Sequence, residues 1–198
     1  SGEKEGTHGS ILSWLAETEA AHLELRDDRF VAAFDPSEDS RRKIAETHPN
    51  IRLHEAPDAV LDDPAVDAVV IAAPARFHHA LTKSALLAGK DVLVEKPLAL
   101  TYHEGRELVQ LAEEKQQILM VGHILEYHPA ILIIRKLMGE GSLGDLRYMT
   151  SSRLNLGKIR TEENVLWSFA PHDIAIIQRL AGGLPMHVMA TSSAFLQE

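Results

Sequence analysis

Short apolar runs separated by longer segments of helical period constrain this chain more than any other feature of its sequence. Arg29 to Asp35, Asp67 to Ala73, Asp91 to Glu95 and Gln117 to Gly122 each gather small, branched or long apolar residues, as strands buried on both faces require. Helical segments lie between them. Ser37 to His48 opens on a serine suited to capping, and Phe77 to Ala88 stops at Gly89, a residue suited to a left-handed C-terminal turn. Thr101 or Tyr102 to Gln116 carries Thr101 and Glu104 at capping-box spacing. Alternation of this kind predicts an α/β chain with a doubly wound parallel sheet.

After Gly122 the rhythm changes. Pro129 to Met138 reads as a helix, Leu143 to Leu156 as a long strand, Pro171 to Leu180 as a helix closed by Gly182 and Gly183, and Met186 to Leu196 as a final strand. These segments predict one α/β domain over residues 1–122 and part of a second, whose sheet stops abruptly, over 123–198.

Composition narrows the function classes. With 198 residues and 45% hydrophobic content there is material for one full domain and part of another. A formal net charge of -9, with no basic tract, argues against nucleic acid as a partner. The absence of cysteine excludes disulfides, thiolate metal sites and thiol nucleophiles, which suits a cytoplasmic protein. No apolar run is long enough to span a bilayer, Ser1 to Gly9 is too polar for a signal peptide, and no metal site is expected.

The residues that bear chemistry follow the apolar runs. Asp35 ends the first, where a dinucleotide-binding fold places an acidic side chain against a ribose diol, although Asp-Pro-Ser is equally good turn chemistry. A carboxylate there repels a 2′-phosphate and favours NAD; Arg41 and Arg42 keep NADP possible. Ala72-Ala73-Pro74, followed by His78 and His79, brings a tight turn to the carboxyl edge of the sheet, although Pro74 also reads as a plain strand end and either histidine as a surface helix residue. Glu95-Lys96-Pro97 delivers a lysine to the same edge, where an ammonium can hydrogen-bond a substrate hydroxyl and steady developing charge. His172, in Pro171-His172-Asp173-Ile174, reads either as an acid/base residue in the first turn of a helix or as a histidine bonded to backbone.

Taken together, Asp35-Pro36, Ala72-Ala73-Pro74 with His78, Glu95-Lys96-Pro97, Val121-Gly122-His123 with Tyr127-His128-Pro129, and Pro171-His172-Asp173-Ile174 resemble the Gfo/Idh/MocA family of nicotinamide-dependent sugar oxidoreductases in order and spacing. The resemblance covers roughly residues 29 to 183. It implies that residues 1–122 are a dinucleotide-binding Rossmann domain, followed over 123–198 by part of a C-terminal domain whose open sheet mediates homo-oligomer contacts. It implies an NAD(P)-dependent oxidoreductase acting on a hydroxyl of a sugar, nucleotide sugar or polyol. In that reading Lys96 and His172 are catalytic, Asp35, Ala73, Pro74, His78, Glu95, Lys96 and His123 hold the cofactor, and Lys96, Arg153, Asn155, Arg160 and His172 meet the substrate. Two departures favour the alternative, a non-catalytic relative or fragment serving as a binding or regulatory module. Leu15-Ala16-Glu17-Thr18 stands where the family carries a glycine-rich phosphate turn, and Ser168 stands where these enzymes commonly carry an aspartate.

Overall fold

A computed structural model describes residues 30–154 and 165–193, which divide between Gly122 and His123 into two compact units. The first unit holds β1 (Ala32–Phe34), α1 (Glu38–Thr47), β2 (Arg52–His54), α2 (Asp58–Leu61), β3 (Ala68–Ile71), α3 (His78–Leu87), β4 (Asp91–Val94), α4 (Tyr102–Lys115) and β5 (Leu119–Val121). β1 pairs with β2, and β3, β4 and β5 pair in that order; every pairing is parallel. Mixed α/β architecture with parallel pairing is therefore present as expected. β2 and α2 were not legible in the sequence, because Arg52-Leu53-His54 contains a single apolar residue and α2 is one short turn.

Local sequence accounts for the helix ends. Ser37 Oγ accepts a hydrogen bond from the Ser40 amide at 3.3 Å, and Glu38 and Asp39 follow in the first turn of α1, where the helix dipole favours negative charge. At α4 the capping box is complete: Glu104 N donates to Thr101 Oγ1 at 3.2 Å, and Thr101 N donates to Glu104 Oε2 at 3.1 Å. Gly89, at φ +73°, lets the chain leave α3 and turn into β4, its amide donating to Leu86 O.

The core lies where β3, β4 and β5 pack against α3 and α4. Ile71, Ala85, Leu86, Val92, Val94, Leu108 and Ala112 form one buried cluster, with Leu86, Leu108 and Val94 fully buried. Burying a side chain as large as Leu86 or Leu108 stabilises the fold by about 1.5–3 kcal/mol. On the rim, α3 and α4 are joined through Glu107, whose Oε1 accepts from Lys83 Nζ at 2.5 Å and whose Oε2 lies 2.8 Å from His79 Nε2. These bonds, Lys83 first, hold the Glu107 carboxyl below the usual carboxylate range against a smaller effect of desolvation.

The second unit contains α5 (Pro129–Gly139) and α6 (Val165–Ala181), and no described residue in it is buried. His128 Nδ1 accepts from the Ala130 amide at 3.1 Å, and Pro129 takes the first helical position, where its missing N–H is not needed. Two expectations are corrected here. Among the described residues, 145–154 and 186–193, which lie within the spans Leu143 to Leu156 and Met186 to Leu196 expected as strands, carry no strand. A strand exists through its hydrogen-bonded neighbour, and no described segment of this unit supplies one. The second helix begins at Val165, so Pro171 and His172 lie within it rather than at its first turn. Pro171 had marked a helix start because a proline breaks the ladder least there. Gly182, at φ +74°, does close the helix, its amide donating to Gln178 O at 3.0 Å.

Candidate functional site

Parallel pairing brings the carboxyl ends of the strands level. Ile71, Val94 and Val121 are register partners across β3, β4 and β5, so the residues that follow them emerge along one edge. The ladder continues slightly past the strand ends, Glu95 N donating to Ile71 O at 2.9 Å and Gly122 N to Val94 O at 2.8 Å. Open α/β sheets bind ligands at this edge.

Glu95 and Lys96 follow β4 directly. Glu95 Oε2 accepts from the Lys96 backbone amide at 3.1 Å, and the carboxylate lies over Gly122, where a Cβ would meet Glu95 Oε1 at 3.1 Å. Gly122 thus leaves room for a carboxylate that braces the turn carrying Lys96. The Lys96–Pro97 peptide is cis.

Ala73 and Pro74 follow β3 and lead through a short turn, Ala75–Phe77, into α3. Arg76 lies 4.7 Å from the centre of the Phe77 ring at this edge. His78, expected to hold the cofactor, is 1% exposed. Its Nδ1 lies 2.6 Å from Pro97 O and its Nε2 2.7 Å from Ala73 O, so both ring nitrogens are engaged within the chain. The structure therefore gives this histidine internal partners on both sides of its ring.

Asp35 follows β1. Its Oδ1 accepts from the Ser37 amide at 2.8 Å, which realises the turn reading, and its backbone oxygen accepts from Arg41 Nη1 at 2.7 Å. Arg41 Nη1 also reaches Pro36 O at 3.2 Å, and Nη2 reaches Glu55 Oε1 at 3.4 Å. Arg42 pairs with Asp39. Both arginines that kept NADP in view are thus drawn toward acceptors of the chain itself.

In the second unit His123 and His172 meet edge to face, ring centres 6.2 Å apart and planes at 88°. His123 Nδ1 is buried without a hydrogen-bond partner among the described residues. Arg153, expected at the substrate, forms a two-point pair with Asp173: Nε to Oδ2 at 2.6 Å and Nη2 to Oδ1 at 3.3 Å. The Arg153 guanidinium, with a smaller contribution from Ser151, holds the Asp173 carboxyl below its usual range against partial desolvation. Ser168 stands one helical turn before His172 and shares its face of α6. Glu126 Oε2 accepts from Arg179 Nη1 at 2.7 Å. The Arg153–Asp173 and Glu126–Arg179 pairs join residues far apart in sequence, so only the fold reveals them. Asn155, Arg160 and Leu15 to Thr18 lie outside the described residues.

The model of the Gfo/Idh/MocA oxidoreductases, an oxidoreductase family with an NAD-binding Rossmann fold, matches residues 9–123. The chain belongs to this family. Among Gfo/Idh/MocA relatives it is similar to the UDP-N-acetylglucosamine 3-dehydrogenase of Acidithiobacillus ferrooxidans, 32% identical over 160 residues, which are 79% of this chain and 49% of that protein. It is also similar to the NADP(+) scyllo-inositol 2-dehydrogenase of Bacillus subtilis, 33% identical over 58% of this chain and 31% of the relative. A crystal structure of a putative oxidoreductase from Klebsiella pneumoniae superposes with a TM-score of 0.64 at 32% identity, over 77% of this chain and 43% of that one. The chain spans about half the length, or less, of the curated relatives it matches. Among the described residues no helix is long and apolar enough to cross a membrane, and no cluster of metal-ligating side chains occurs.

Proposed function

We propose that this Gfo/Idh/MocA chain takes part in NAD(P)-dependent oxidation or reduction at a carbon bearing a hydroxyl group in a sugar, nucleotide sugar or polyol. The observation that carries the reading is Lys96, set immediately after the buried strand β4 at the carboxyl edge of a parallel sheet and braced by the Glu95 carboxylate. The names of the relatives, a nucleotide-sugar dehydrogenase and an inositol dehydrogenase, support the substrate class. A small-molecule substrate, a cytoplasmic location and a homo-oligomer belong to the same reading.

The residues present fit a nicotinamide dinucleotide where they are described. Asp35 follows β1 with an acidic side chain, and among the described residues one of its carboxylate oxygens is engaged, by its own turn, so the other can receive a ribose hydroxyl. Ala73, Pro74 and Glu95 follow β3 and β4 at one carboxyl edge; within the second unit, His123 Nδ1 is buried without a partner among the described residues, which suits the cofactor role the resemblance implies for it. When bound, the nicotinamide accepts or returns the hydride. The Lys96 ammonium hydrogen-bonds the reacting hydroxyl oxygen and stabilises the charge that develops on it. His172 exchanges the hydroxyl proton. Arg153, paired with Asp173, holds the turn of α6 that carries His172. With Arg41 bonded to the Asp35–Pro36 backbone and an acidic side chain at position 35, NAD is favoured over NADP.

Titrating the chain with NADH and NADPH, followed by nicotinamide fluorescence, tests this directly. Saturable binding with NADH preferred supports it, whereas no binding at millimolar concentration of either overturns it. Asp35→Ala is expected to weaken NADH binding about 10- to 100-fold, the scale of lost hydrogen bonds to a charged group. Lys96→Ala is expected to lower turnover about 10²–10⁴-fold with an unchanged circular dichroism spectrum.

Ser168 favours a second reading, a relative that keeps the fold as a binding or regulatory module. On the same helical face as His172, a serine can hydrogen-bond but supplies no charge. Failure of the nicotinamide titration would favour this reading.

A further inference from the structure

Two turns at the carboxyl edge of the sheet, one after β3 and one after β4, are joined by a single buried side chain. His78 opens α3, is 1% exposed, and lies between Ala73 O at 2.7 Å and Pro97 O at 2.6 Å. Carbonyl oxygens only accept, so each contact is a hydrogen bond where the facing ring nitrogen carries a hydrogen. A ring with one N–H bonds to one turn at a time, and a ring with two bonds to both. Pro97 adjoins Lys96, and Ala73 adjoins Pro74. We infer that His78 is a positioning residue, a strap that fixes the turn carrying Lys96 to the turn after β3, so that the two respond together at the ligand edge. Its burial argues against direct contact with a ligand and leaves positioning as the role its partners support.

The geometry sets a test that a merely space-filling histidine would not pass. An asparagine amide nitrogen takes the place of Nδ1 and a glutamine amide nitrogen that of Nε2. His78→Asn should therefore keep the bond to Pro97 O and release the turn after β3, while His78→Gln should do the reverse. Amide hydrogen exchange on the ligand-free chain reads this. In His78→Asn, exchange at Ala73 and Ala75 should rise about tenfold while Lys96 and Leu98 change little; in His78→Gln, the pattern should be exchanged. Equal acceleration in both turns, or none, overturns the inference. Should one variant fail to fold, the other decides alone: acceleration confined to the turn it releases supports the strap, and acceleration in both turns or in neither overturns it. The consequence for chemistry rests on the role proposed for Lys96, and the two ideas fail separately. A crossed exchange pattern without nicotinamide binding keeps the strap and removes the dehydrogenase reading. Nicotinamide binding without the crossed pattern does the opposite.

Discussion

Glu95 and Gly122 show how one residue sets the identity of another across a sheet. The Glu95 carboxylate occupies the space into which a Cβ at position 122 would project, with contacts of 3.1–3.3 Å, and it accepts from the Lys96 amide at the same time. Gly122→Ala should displace the carboxylate by a few tenths of an ångström and disturb that bond. The expected result is a clear shift of the Lys96 amide resonance with a stability loss of only about 1 kcal/mol, because the clashing atoms end a flexible side chain. Asp173 makes a second prediction, of pH dependence. Its carboxyl titrates below the ordinary range in the folded chain because Arg153 hydrogen-bonds it. That contribution to stability is fully present above the unfolded pKa and is lost as pH falls through the lower, folded pKa. Arg153→Met should bring the Asp173 carboxyl resonance back to an ordinary titration and flatten the acid limb of the stability curve; an unchanged titration would remove Arg153 as the cause. Asp35, Glu95 and Lys96 were legible in sequence because each closes an apolar run. Burial and internal bonding at His78 were not, since its partners Ala73 O and Pro97 O are backbone atoms that no side-chain pattern announces.

Among the elements, the helices with cap signals were read with the least error. Thr101 and Glu104 form the capping box that their spacing announces, and Gly89 ends α3 where a left-handed residue was expected. Thr101→Ala should destabilise the first unit by about 0.5–2 kcal/mol, measured by denaturant unfolding, since the Glu104 amide would lose its side-chain acceptor. Leu108→Ala, in the same helix but fully buried, should cost about 2–5 kcal/mol and thus exceed the cap variant. α6 was misread for a physical reason. Pro171 suggested a boundary, yet the helix runs through it from Val165. The segments 145–154 and 186–193 read as parts of strands in the sequence, but pairing decides strand formation, and pairing is a property of neighbours rather than of a segment.

At the scale of the whole molecule, all of the buried hydrophobic residues among those described belong to the first unit. Leu132, Ile133, Leu184, Met186, Val188 and Met189 of the second unit are exposed. Amides of α5 and α6 are therefore expected to exchange much faster than those of α3 and α4, a difference that hydrogen-exchange mass spectrometry would resolve; equal protection in both units would contradict it. The rhythm change after Gly122 was visible because a buried apolar run gives way to helices with other spacings, whereas the exposure of the second unit depends on what surrounds it. In the first unit, β3, β4 and β5 lie side by side in the order in which they occur along the chain, and the buried cluster is drawn wholly from Ile71 to Ala112. A ribosome would therefore release this sheet one finished βα step at a time, each new strand meeting a neighbour already made, so the core can close before the second unit has been synthesised.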